Sequence, residues 1–163
     1  HIEGVLPASI CGCEGFRTPD ITMSFKWDSE RNDAGYPGFV FSTGGAAGQG
    51  THGSMSKHEL WNVLYARGPS FKSEIESNLP SGNIDLAPTI LHILGLEAGD
   101  KISGRVLHEG LVSGENLNMK DWETEIHNAE KVLGDLVYRQ QITISKVGET
   151  TYLEQGHNTL GHR

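Results

Sequence analysis

The sequence predicts a mixed α/β or α+β class, because strand-like and helix-like patterns both recur along it. Ile21-Thr22-Met23-Ser24-Phe25 alternates apolar and polar side chains, the period of a half-buried strand. Leu86, Ile90, Ile93 and Leu94 recur at helical spacing and form one apolar stripe. Gln141-Ile142-Thr143-Ile144-Ser145 and Thr151-Tyr152-Leu153 flank Val147-Gly148-Glu149, a β-hairpin signature.

Taken in chain order, residues 1–50 are punctuated by glycine. Asn32-Asp33-Ala34-Gly35-Tyr36-Pro37-Gly38 reads as a turn ahead of the β-prone Phe39-Val40-Phe41. A glycine-rich run from Gly44 to Gly50 lacks the Gly-Lys-Ser/Thr ending of a P-loop and the spaced glycines of a dinucleotide fold. Ser56 and Glu59 suit a capped turn. Trp61-Asn62-Val63-Leu64-Tyr65-Ala66 reads as a buried strand stopped by Gly68-Pro69. The helix is expected over residues 86–94, with Asp85 as N-cap, Pro88 in the first turn and Gly95 at the stop. Residues 121–136, acidic and loosely amphipathic, read as a second helix.

Composition narrows the function classes. Glycine makes up 21 of 163 residues, nearly twice the usual share of about 7%, so the chain is rich in loops. Thirteen basic against twenty-one acidic residues give a net charge of −8. With no basic stripe to track phosphates, a nucleic-acid duplex is not an expected partner. No apolar run approaches the roughly 18–20 residues of a spanning helix, so no membrane partner is expected either. His1-Ile2-Glu3-Gly4 has neither the basic nor the apolar region of a signal peptide. Cys11 and Cys13, one glycine apart, are too close for an unstrained disulfide and miss the spacing of zinc knuckles. They read as free thiols or small packed residues in a reducing compartment, and the expected location is cytoplasmic.

Eight histidines are the main chemical resource. His92 falls within the expected helix, His127 lies in the acidic stretch, and His157 and His162 lie near the end as solvated residues. His58-Glu59 would need a second histidine at position 62 to make a zincin, and that position is Asn62. His52 differs: Thr51 and Gly53 flank it in the glycine-rich loop, where small neighbours let an ion approach the imidazole. One histidine does not make a zinc site, because catalytic zinc takes three or more protein ligands.

Its neighbourhood adds more. Gly50-Thr51-His52-Gly53-Ser54-Met55-Ser56 precedes Ala66-Arg67-Gly68-Pro69-Ser70-Phe71-Lys72. Gly82-Asn83-Ile84-Asp85-Leu86-Ala87-Pro88-Thr89-Ile90-Leu91 and Leu94-Gly95-Leu96 follow, and Gly104-Arg105-Val106-Leu107 comes last. In this order, over about residues 44–111, the segments resemble the C-terminal part of the type I phosphodiesterase/nucleotide pyrophosphatase family of the alkaline phosphatase superfamily.

The resemblance implies an α/β fold, the C-terminal segment of an alkaline-phosphatase-like three-layer domain, with residues 1–163 forming one partial domain. It implies two divalent metal ions, by expectation zinc, about 4 Å apart, that activate a Thr or Ser nucleophile and stabilise an in-line displacement. His52 matches the late metal-ligand histidine of that family. Asp85 and Pro88 match positions that read as a helix start. The nucleophile and the adjacent Asp-His ligand pair of the family have no counterpart here, since no Asp-His dipeptide occurs. No catalytic residue is therefore assigned. The chain looks like the last third or half of such a domain, completed by the missing N-terminal part or by an oligomer. The expected substrate is a small phosphate or phosphonate ester. Alternatives are a non-catalytic fold-completing or partner-binding fragment, or a phosphonoacetate hydrolase-like or sulfatase-like relative.

Overall fold

The computed structural model describes residues 3–41, 45, 46, 49, 52–114 and 122–163. The chain forms two compact units. Unit 1 comprises His1–Trp61, Glu125–Ile144 and Leu153–Arg163, and unit 2 comprises Asn62–Thr124 and Ser145–Tyr152.

Unit 1 contains a hairpin of β1 (Trp27–Arg31) and β2 (Pro37–Val40), antiparallel with Trp27 opposite Val40 and Asp28 opposite Phe39. The register shifts between Asp28 and Arg31, a bulge that bends the ribbon. Its loop is the expected turn, built on Asn32. The Asn32 side chain accepts from the amides of Ala34 and Tyr36, both at 3.0 Å, and Gly35 takes φ +84°. The four-residue helix α1 (Lys57–Leu60) is capped by Ser56, whose hydroxyl accepts from the His58 amide.

A second, three-stranded sheet has the order β3 (Trp122–Leu133), β4 (Leu136–Val147), β5 (Thr150–His162). Arg139 pairs with Glu130 at 2.8 Å and Gln141 with Asn128 at 3.0 Å. Both pairs fit the antiparallel register set by the two-residue turn Gly134-Asp135, where Gly134 has φ +64°. The β4–β5 hairpin turns at Gly148-Glu149, with Gly148 at φ +57°, as its sequence predicts.

In unit 2 the expected helix is present as α2 (Leu86–Ile93) and stops at Gly95, which has φ +69°. The Gly95 amide donates to His92 O and the Leu96 amide to Leu91 O, the two bonds of a Schellman cap. Its apolar stripe faces solvent: Leu86, Ile90 and Leu94 are exposed, and the buried positions are Pro88 and Thr89.

The three-layer α/β expectation is corrected. Among the described residues, strands outweigh helices by about two to one (33% against 15%) and the sheets are antiparallel. Tight two-residue turns join β3 to β4 and β4 to β5, which leaves no crossover helix between them for a parallel sheet. Three local expectations are corrected as well. Residues 122–133 of the expected second helix form β3, while Asp121 lies outside the described residues. Residues 21–25 and 61–66 form no strand, and Val63 is 83% and Tyr65 90% exposed. Of residues 39–41, Phe39 and Val40 belong to β2. No helix among the described residues is long and apolar enough to cross a membrane.

Candidate functional site

His52 lies in unit 1, exposed, on chain without regular structure. Gly53 follows with φ +95° and open space where a Cβ would stand. A non-glycine residue rarely adopts that backbone, so the turn beside the imidazole depends on glycine. Thr51 and Gly50, the other flank of the expected ligand loop, lie outside the described residues.

Hydrogen bonds hold the chain just past Gly53. The buried Ser54 donates its amide to Glu59 Oε2 at 2.8 Å, and its hydroxyl accepts from the Ser56 amide at 3.1 Å. Ser56 is fully buried. The Met55 amide donates to Ser24 Oγ and the Gly156 amide to Met55 O, each at 2.8 Å. Glu59 therefore closes the expected capped turn on the amide of Ser54, two residues before Ser56. The result is an exposed imidazole two residues away from an anchored, buried serine pair.

Elsewhere in unit 1, Trp27 donates its indole N–H to Gly156 O, while the rings of His58 and His157 stand edge-on to it at 5.9 and 5.8 Å. His58 also contacts Ser29 Oγ at 3.1 Å. His58 and His157 thus both stand edge-on against Trp27.

Unit 2 holds a polar network that joins two of the segments behind the family resemblance. Asp85 is fully buried, and its carboxylate accepts from the Gly82 amide at 2.8 Å, the Arg105 amide at 2.8 Å and the Tyr152 hydroxyl at 2.9 Å. Asp85 stands at the N-terminus of α2, but its side chain makes no cap to that helix. The Arg105 guanidinium binds Tyr152 Oη at 3.0 Å, Pro80 O at 3.0 Å and both oxygens of Glu109 at 2.7 and 2.9 Å. The Thr89 hydroxyl accepts from the Leu107 amide at 3.0 Å. Gly104 permits this closeness, since a Cβ there would stand 2.0 Å from Ile84 O.

Burial sets the protonation pattern. It pushes the Tyr152 hydroxyl above its ordinary range, and the Asp85 charge adds to that, outweighing Arg105. Tyr152 thus remains a donor to Asp85. Burial also favours a neutral Glu109, but its hydrogen bonds to the Arg105 guanidinium prevail and hold the carboxyl below its usual value. The sequence places Asp85 at a helix start and gives no local sign of a link to Tyr152, which lies 67 residues further along the chain. The paired signals were an apolar-flanked aspartate and a Gly-Arg dipeptide, with nothing local to couple them.

The chemistry of this donor set is limited. Among the described residues, no group of three or more His, Cys, Asp or Glu is placed to hold a metal ion. A two-metal centre does not fit these residues alone, and His52 is a single imidazole donor. His92 stands in α2 against the His108 ring, with centroids 5.0 Å apart. No protein-family model, curated protein or solved structure matches the chain.

Proposed function

We propose that this chain is a segment of a metal-dependent phosphoric ester hydrolase, resembling the type I phosphodiesterases, to which it contributes His52 as one metal ligand. The nucleophile and the remaining ligands come from polypeptide outside these 163 residues. The substrate class is small phosphate or phosphonate esters, nucleotides among them. The observation that carries this reading is the exposed imidazole of His52 beside Gly53, tethered to the buried Ser54–Ser56 turn. It is supported by the way Asp85 and Thr89 bind Arg105 and Leu107, which gives a physical reason for those two motif segments to occur in one chain.

A rival reading is a non-catalytic segment that completes a fold or binds a partner. The exposed Val63, Leu64 and Tyr65 favour it. Metal analysis and hydrolysis of an aryl phosphodiester separate the two. The 163-residue chain alone is expected to hold no two-metal centre and to show no turnover. A longer polypeptide carrying the upstream residues is expected to do both, and His52→Ala in it to reduce metal content and lower activity by orders of magnitude. Full metal content and activity in that variant overturn the ligand assignment. An inactive, metal-free long polypeptide leaves the rival reading in its place.

A further inference from the structure

Unit 1 carries a cavity of about 640 Å³ that is open to solvent. Its wall carries two thiols, Cys11 and Cys13, two thioethers, Met23 and Met55, and the imidazole of His157. Both cysteines are free. Cys11 closes a 3₁₀ turn over Ala8–Cys11, and Gly12 reverses the chain in the left-handed region at φ +71°. The reversal carries the Cys13 sulfur back to 3.9 Å from the carbonyl oxygen of Cys11. Both thiols thus border the same space, one residue apart, with Cys11 half-buried and Cys13 exposed, among apolar side chains and the polar Asp20, Gln140 and His157.

Chemistry selects the occupant. A disulfide between residues this close would be strained. Zinc takes four ligands, and no third His, Cys, Asp or Glu completes a group among the described residues. Calcium and magnesium take several oxygen donors, and among the described residues no group of three or more His, Cys, Asp or Glu, carboxylates included, is placed to hold a metal ion. What remains suited to two thiolates with thioethers nearby is a soft, thiophilic ion of low coordination number.

We propose that Cys11 and Cys13 chelate one monovalent copper ion at the wall of this cavity. On binding, two S–H bonds break, two protons leave to solvent and two S–Cu bonds form. Copper stays in the +1 state throughout, so no oxidant or reductant enters. Met55 and the exposed Met23 line the same space. Burial, with Cys13 adding to it, pushes the Cys11 thiol up, so the ion must displace a firmly held proton and apparent affinity rises with pH.

The test is an anaerobic titration of the intact 163-residue chain with copper(I), in competition with bathocuproine disulfonate. Formation is followed by the ultraviolet thiolate-to-copper charge-transfer band. One tight equivalent is expected, with protection of both thiols from alkylation by N-ethylmaleimide. Cys11→Ser and Cys13→Ser are each expected to lose the tight equivalent and the band. Unfolding the wild-type chain in urea is expected to lose it too, because the turn at Gly12 aligns the thiols. Retention of the equivalent by either serine variant, or equal affinity in the urea-unfolded chain, overturns the proposal. So does absence of the band in the folded wild type.

Discussion

Asp85 accepts three hydrogen bonds in a fully buried position, so its removal strands three donors at once. Asp85→Ala is expected to destabilise unit 2 by at least about 3 kcal/mol, given roughly 1–3 kcal/mol for each buried group left unmet. Tyr152→Phe removes the hydroxyl that donates to Asp85 and accepts from Arg105 but leaves Asp85 its two amide donors, and should cost less, about 1.5–3 kcal/mol. Urea denaturation orders the two; equal or reversed costs would remove Asp85 from the centre of the network. Glu109 supplies a pH dependence. Its carboxyl is held below the ordinary 4.5, so its contribution is fully present above that value and is lost as pH falls through the lower folded-state value. Thermal stability should therefore decline on acidification below about pH 4.5, and Glu109→Gln should flatten that part of the profile. At this scale the sequence made His52 conspicuous through its small neighbours. It left the Asp85–Arg105–Tyr152 contacts unreadable, because a buried carboxylate and a surface one look alike until distant chain supplies the partners.

Elements whose determinants are local were legible. The stop of α2 depends on Gly95 and the carbonyls just before it, and the β4–β5 turn depends on Gly148. Both are short-range geometry, written in one glycine each. Strand β3 was not legible. Its acidic stretch suits a helix locally, and its strand state comes from partners such as Arg139 opposite Glu130 and Gln141 opposite Asn128. Residues 61–66 fail in the opposite sense, since β-prone side chains there stand on chain without regular structure. Gly104 gives an element-scale test. A methyl group there would meet Ile84 O at 2.0 Å and force apart the two segments that Asp85 joins. Gly104→Ala should cost about 1–3 kcal/mol or more, the range for overpacking. Gly99→Ala, with open space around its Cβ position, should cost far less. Paired thermal melts check this.

Across the described residues, eight large apolar side chains are buried and twenty-four are exposed. So much exposed apolar surface favours association. Light scattering of the 163-residue chain should show mass rising with concentration, and Val63→Lys with Tyr65→Lys should reduce it; a concentration-independent monomer would refute the expectation. The tryptophans divide in the same unequal way. Trp27 is 6% exposed, with its N–H on Gly156 O, whereas Trp61 is 63% and Trp122 37% exposed. The protein therefore carries two optical populations: a blue-emitting indole shielded from acrylamide within unit 1, and two red-emitting, quenchable ones. Loss of the shielded component marks the opening of unit 1 specifically, and Trp27→Phe should erase that component while leaving the quenchable emission in place.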